Sequence, residues 1–381
     1  MPGSNAYVER DPKKALATAR QVVTAYAEDS KFNGLMGMTS NAIIKTQDER
    51  HDGVALVEIG FRAPIRSAGT KGNDNLGDGE ETKRFYMKVE GTVLAQPVTS
   101  KHKKITKAST AANFREEAKE DLAEWLTYKM DAERFAKLSQ GCTKVVTTKA
   151  NGTMVYDTTT LAAGDVMTVA ALRNGLKAAK YGYTDSAGKF HPKLKPFKTK
   201  RETVNGVPAT SKVFVAYLGA DSIAHLRNDP EFDALMTALS DDDKKLYPFA
   251  GAIGLFDEEL VVVDVGTWNE SDVGCVRSDT PDWIDIHKQT VGGFSTYVAG
   301  TDNTVTEVNL ILGASAGAMP FSQVPEWIED GTVDSGRKIK MIIDVWTGFE
   351  KCKFVGKTAA EVASAYHNED FGVLAIPTTI I

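Results

Sequence analysis

Phe114 to Gly141, FREEAKEDLAEWLTYKMDAERFAKLSQG, is the stretch whose reading decides the architecture. From Phe114 onward the apolar residues Ala118, Leu122, Trp125, Tyr128, Ala132, Phe135 and Leu138 recur at gaps of three and four. That spacing lays one apolar stripe along a helix. Asn113 and Glu116 stand at the separation of a capping box, in which each side chain satisfies an orphan backbone donor of the first turn. Gly141 suits the left-handed residue that closes a helix. At about 1.5 Å per residue the element is roughly 40 Å long, well beyond the three turns of an average helix. A helix of this length braces something extended, and Phe114, Leu122, Trp125 and Phe135 are expected in its seam.

Upstream, GVALVEIGFRA (Gly53 to Ala63) and RFYMKVEGTVLAQ (Arg84 to Gln96) are rich in β-branched and aromatic residues with partial alternation, and read as two strands. Between them SAGTKGNDNLGDGEE, Ser67 to Glu81, carries four glycines and a cluster of acids, the composition of a long hairpin with a polar tip. Val98 to Ala108 (VTSKHKKITKA) is a basic run that reads as a solvated surface. Asp11 to about Ala27 has helical spacing and reads as part of an arm rather than of a core.

Downstream, Thr143 to Thr160 reads as an irregular β excursion, Val166 to Tyr181 as a helix, and the lysine- and proline-bearing stretch Tyr183 to Pro208 as a surface crossing. A strand, Lys212 to Tyr217, then leads into helices at Ala220 to Asn228 and Pro230 to Leu239. LVVVDV at Leu260 to Val265 is a buried strand, with further strands at Val305 to Leu312 and Lys338 to Trp346. Strands scattered among helices without βαβ repetition predict an α+β fold.

The 381 residues, 42% apolar and 25% charged, suffice for a sizeable core built as two or three packed subregions. A formal charge of −6 argues against a chain whose main task is gripping a phosphate backbone. Cys142, Cys275 and Cys352 are too widely spaced for a metal or redox pair and read as free thiols. Met1 to Asp29 lacks the apolar core of a signal peptide and no run approaches a membrane span, so the expectation is a soluble chain without a cleavable signal. The sequons at Asn151 and Asn269 then have no acceptor pathway.

Several segments together resemble the major capsid proteins of tailed bacteriophages, in particular those of N-four-like podoviruses. They are FNGLMGMTSNAII (Phe32 to Ile44), GNDNLGDGEE (Gly72 to Glu81), the helix Phe114 to Gly141, VFVAYLGADSIAHLRNDPEF (Val213 to Phe232) and DFGVLAIPT (Asp370 to Thr378). No single segment is a strong motif; their order and spacing carry the resemblance over nearly the whole chain. It departs from the family pattern at Thr143 to Thr160 and around Asn269 to Asn303.

The resemblance implies a Hong Kong 97-type fold. Its parts would be an amino-terminal arm (1–52), an extended hairpin loop (53–108), a peripheral domain with the long spine helix (109–210), an axial domain (211–320) and carboxyl-terminal strands (321–381). The implied function is a major capsid protein that self-assembles as pentamers and hexamers into the icosahedral head shell around a double-stranded DNA genome. The implied partners are further copies of itself, portal protein, scaffold and decoration proteins, and packaged DNA touched without sequence specificity. The setting is the virion, with the host cytoplasm during assembly and no membrane. Where the loop tip reaches a neighbour, Gly72, Asp74, Asp78, Glu80 and Glu81 are its contact residues, and Lys101, Lys103, Lys104 and Lys107 are candidate basic partners.

Enzymatic readings are weaker. Gly313-Ala314-Ser315-Ala316-Gly317 matches a nucleophile elbow, with Asp344 and His367 following in hydrolase order, but Pro320 arrives where the elbow's helix should run. This leaves a soluble serine hydrolase built on Ser315 as the alternative. Gly356-Lys357-Thr358 ends like a phosphate loop, yet Lys351 occupies the position of the first glycine. The six histidines show no pairing for a metal, and no catalytic residue, metal or cofactor is expected. Lys71 and Asn73 at the tip read as solvated loop residues rather than a crosslink.

Overall fold

The structure, a computed structural model, describes residues 18–19, 21–22, 25, 30–39, 41–47, 56–62, 84–100, 114–139, 141–156, 161–162, 164–204, 207–237, 251–266, 306–320, 326–330, 333–357, 359–362, 364 and 366–379. Asn113, Lys71, Asn73, the loop-tip residues and the lysine run lie outside them, as do Asn269 to Asn303.

The centre is a seven-stranded sheet. Its order is β12 (Met236–Thr237), β13 (Ala252–Phe256), β14 (Leu260–Gly266), β11 (Val207–Gly219), β15 (Thr306–Leu312) and β20 (Val373–Thr379), with β10 (Lys198–Val204) also paired to β11. β11 runs parallel to β14 and antiparallel to β15, so the sheet is mixed. Phe214 to Leu218 are wholly buried, the signature of a strand covered on both faces. Val213, Val215 and Tyr217 face one core, whereas Phe214, Ala216 and Leu218 face another. That second core is filled by helix α2 (Val169–Tyr181), α3 (Ala220–Arg227) and α4 (Pro230–Leu235), through Leu172, Leu176, Ile223, Leu226 and Phe232. A Cβ on Gly175 would sit 2.4 Å from Ile376 Cδ1, so this glycine lets α2 lie closer to the sheet than any other residue allows.

The long helix α1 is Phe114–Ser139. Its fully buried apolar positions run Ala118, Leu122, Leu126, Met130 and on to Leu138. Steps of four residues advance about 40° on a helix of 3.6 residues per turn, so the stripe winds to the opposite face along its length. The amino-terminal half therefore packs on a three-stranded sheet, β17 (Glu326–Asp330), β18 (Lys340–Thr347) and β5 (Thr92–Thr99), through Leu122, Leu126, Ile343 and Val345. The carboxyl-terminal half delivers Phe135 and Leu138 to the central sheet's first core. One helix thus joins two cores.

Smaller sheets complete the frame. β1 (Met36–Gly37), β2 (Ile44–Gln47), β16 (Gly317–Pro320) and β19 (Glu350–Lys351) form a four-stranded sheet. β3 (Leu56–Arg62) pairs with β4 (Arg84–Glu90) in an antiparallel ribbon, anchored by burial of Phe85, Met87 and Val89 against Phe354 and Tyr366. Two short hairpins are β6 (Thr147–Thr148) with β7 (Met154–Val155), and β8 (Tyr183–Thr184) with β9 (Phe190–His191).

Two expectations are corrected. The stretch Arg84 to Gln96 is not one strand but β4 and β5 in different sheets, broken at Gly91, where any Cβ would fall 2.1 Å from the Trp346 ring. Tyr183 to Pro208 is not merely a surface crossing: it holds the β8–β9 hairpin and β10, which extends the central sheet. Its lysines concealed the strand because β10 lies off the main path of that sheet, paired to β11, where apolar letters are not required.

Candidate assembly site: two buried clamps and an exposed sheet face

The first clamp sits on α1 where its stripe crosses from one core to the other. Asp131 and Arg134 are both buried and paired at 3.1 Å. Ser30 Oγ donates to Asp131 Oδ1 and the Lys31 N–H to Oδ2, each at 2.7 Å. Arg134 Nη2 reaches Met319 Sδ at 3.4 Å. Burial raises the Asp131 carboxyl above its ordinary value, and Arg134, Ser30 and Lys31 offset part of that rise. The segment this fixes, Ser30 to Phe32, carries Phe32 wholly buried with its ring edge-on to Tyr217 at 5.0 Å. Tyr217 in turn donates its hydroxyl to Lys31 O at 2.6 Å. Charged letters between Met130 and Phe135 read as a solvated face, so the sequence gives little sign of this site.

The second clamp gathers the chain leaving α1, the β8–β9 hairpin and the turn entering β20. His191 Nδ1 lies 3.0 Å from Glu369 Oε2 and its Nε2 3.3 Å from Asp185 Oδ2. Lys189 pairs with the other oxygen of Glu369. Burial alone would raise Glu369, but hydrogen bonds from His191 and Lys189 hold it below the usual carboxylate value. Next in sequence, Asp370 accepts from the Thr143 N–H at 2.7 Å and from Lys351 Nζ at 3.2 Å. Lys351 Nζ also approaches Cys142 Sγ at 3.5 Å, and burial pushes that thiol up to about 11. Lys144 is buried beside these groups, its amine lowered to about 8 by desolvation. Nothing in the sequence pattern singles out these polar residues, and only their convergence in space marks the site.

The outer face of the three-stranded sheet is the contrasting feature. β18 alternates strictly: Met341, Ile343, Val345 and Thr347 point inward and Ile342, Asp344 and Trp346 outward. Ile342 lies across from Ile328 on one side and Pro97 on the other. Val93 is 64% exposed and Ile328 41%. In the next row Glu326 stands opposite Asp344, a like-charged cross-strand pair that costs stability where it is not offset.

Of the residues expected in the seam of α1, Leu122 and Phe135 are buried in different cores, while Phe114 and Trp125 are partly buried against the cluster that holds Leu122. Gly72, Asp74, Asp78, Glu80 and Glu81 at the tip, and Lys101, Lys103, Lys104 and Lys107, lie outside the described residues. The hydrolase alternative finds no support. Ser315 is buried in a turn, with φ 56°, and its N–H donates to Ala42 O. Strand β16 follows it where an elbow needs a helix. Asp344 belongs to the three-stranded sheet, and His367 Nδ1 accepts the Gly356 N–H.

Residues 9–380 match the model of a family described as phage capsid protein. Over 282 residues the chain is 23% identical to the major structural protein ORF14 of Helicobacter pylori bacteriophage KHP30, covering 69% of this chain and 68% of that one. Its fold is similar to the acid-stable capsid structure of the same phage, with a TM-score of 0.69 at 18% identity over 92% of this chain and 91% of that chain. The capsid of Ralstonia phage GP4 is similar at a TM-score of 0.62 and 17% identity, again over 92% and 91%.

Proposed function

The chain belongs to the phage capsid protein family and forms the shell of a phage head, in the α+β Hong Kong 97-type fold, and from that premise we propose how it builds the shell. It associates with further copies of itself as pentamers and hexamers around double-stranded DNA, which its inner face touches without sequence specificity. Portal, scaffold and decoration proteins are its other partners, the host cytoplasm is where it assembles, and it catalyses no reaction. The family match over residues 9–380 is the observation that carries this reading.

We divide the chain into an arm (1–52), an extended loop (53–108), a peripheral domain (109–210), an axial domain (211–320) and carboxyl-terminal strands (321–381). The acids of the loop tip, Asp74, Asp78, Glu80 and Glu81, meet the lysines of the run from Lys101 to Lys107 on a neighbouring copy. Complementary charge of this kind fixes partner and register more than it adds affinity. The apolar row Pro97, Ile342 and Ile328 covers part of a second copy as well, since a sheet face exposing such a row beside the like-charged pair Glu326 and Asp344, which has no ion-pair partner among the described residues, suits a protein partner that brings lysines.

The test replaces Gly72 to Gly79 with a short Gly-Ser turn. Circular dichroism should report a folded subunit with nearly unchanged thermal unfolding, because halving a flexible loop alters closure entropy by only about 0.6 kcal/mol. Negative-stain microscopy of the same preparation should show no closed shells. Normal particles would remove the loop tip from the assembly contact, and an unfolded subunit would make it a core element. Reversal of Glu80 and Glu81 to lysine should weaken assembly in a salt-dependent way.

A further inference from the structure

We propose that the His191 cluster is a proton-controlled joint, closed when the ring bridges Glu369 and Asp185 and open when either side of that bridge loses its charge. Three chain segments meet there. Tyr183, at the start of the hairpin, grips the segment leaving α1: its hydroxyl donates to Val145 O at 3.0 Å and accepts the Val145 N–H at 2.8 Å. The His191 ring stacks on Tyr183 with centroids 4.7 Å apart, and Tyr183 stacks on Tyr156 at 4.4 Å. Glu369 and Asp370 lie in the turn that feeds β20, which Val145 joins through a parallel bridge at Ala375. The joint therefore couples the carboxyl end of the long helix to the central sheet.

Its charge logic follows from the donor and acceptor count. A neutral imidazole has one N–H and one lone pair, yet each ring nitrogen of His191 faces a carboxylate oxygen. Both contacts are attractive only when both nitrogens carry protons. Around the ring stand Glu369, Asp185 and the Tyr183 ring; around Glu369 stand His191, Lys189 and its neighbour Asp370, with Lys144 close enough to feel its charge. Asp185 also accepts the Lys189 N–H at 2.7 Å. Acid protonates Glu369 and removes the negative charge that holds the His191 ring and Lys189 in place. Because Glu369 is held below its ordinary value, the closed form is stable above that value and is lost as pH falls through the lowered one. Because the joint sets how rigidly α1 is held to the sheet, its state alters the geometry available to subunits in the shell; this last step rests on the shell reading above.

Hydrogen exchange on unassembled full-length subunits, followed from about pH 7 down to about pH 3 and corrected for intrinsic exchange, reads the joint directly. The amides of Val145, Val146 and Ala375 are protected by bonds at or beside it. In the wild type their protection should be greatest near neutrality and fall several-fold as Glu369 takes up its proton. Glu369→Gln should flatten that fall, and His191→Gln should lower the protection near neutrality. Asp185→Asn, on the more exposed side, keeps the test open if Glu369→Gln does not fold: it too should lower the protection near neutrality. Identical profiles in wild type and variants would overturn the joint, as would a wild-type profile without the acid fall. Microscopy of shells assembled at each pH is the separate readout: failure of every protein to form shells would count against the assembly reading and leave the exchange result standing.

Discussion

Ser30 Oγ lies 2.7 Å from Asp131 Oδ1, and this bond ties the chain ahead of β1 to a helix a hundred residues further along the sequence. Asp131 is buried and keeps its place only because Arg134, Ser30 and the Lys31 N–H share its charge. Asp131→Ala should therefore destabilise the subunit by about 3 to 5 kcal/mol, since it removes one member of a buried ion pair with Arg134. Denaturant unfolding checks the loss. A change under about 1 kcal/mol would mean that the pair contributes nothing net.

Leu122→Asp should cost several kcal/mol by forcing a charge into the seam between α1 and the three-stranded sheet. The variant is expected to be insoluble or partly unfolded by circular dichroism. Normal, soluble protein would show that the helix is less firmly seated than its burial indicates.

Lys144 carries a buried ammonium with no hydrogen-bond partner among the described residues, and its amine is lowered to about 8. Such a group binds its proton less well folded than unfolded. Stability should therefore climb as pH rises from about 8 through the ordinary lysine value, by about 3 kcal/mol in all. Lys144→Met should stabilise the subunit at neutral pH and abolish that climb in urea titrations repeated at several pH values. A steeper climb in the variant would contradict the sign.

Gly175→Val places side-chain carbon where Ile376 and Ile311 already sit, 2.4 and 2.9 Å from the position of its Cβ. Overpacking of this kind costs about 1 to 3 kcal/mol. Ile376→Val, which removes the nearer methyl, should recover part of the lost melting temperature when combined with it.

Ser315→Ala should leave folding within about 1 kcal/mol of wild type and shells normal in the microscope. The serine sits in a buried turn whose backbone, rather than its hydroxyl, makes the bonds to Ala42 and Ile43. Loss of an ester-cleaving activity in this variant would reopen the hydrolase alternative.

The sequence by itself determined the elements whose burial is uniform along their length. Leu260 to Val263 and Phe214 to Leu218 are wholly covered, so apolar letters alone identify them. The long helix was equally legible, because a stripe of apolar residues at gaps of three and four admits no other regular structure. Order and spacing of segments then carried the family. Tertiary structure alone decided where charge is buried. Asp131, Arg134, Lys144, His191 and Glu369 look like surface letters, since a polar residue is tolerated inside only when partners far away in sequence converge on it, and local pattern holds no record of them. The break at Gly91 has the same cause: nothing nearby in the chain announces that the Trp346 ring occupies the space of its missing Cβ.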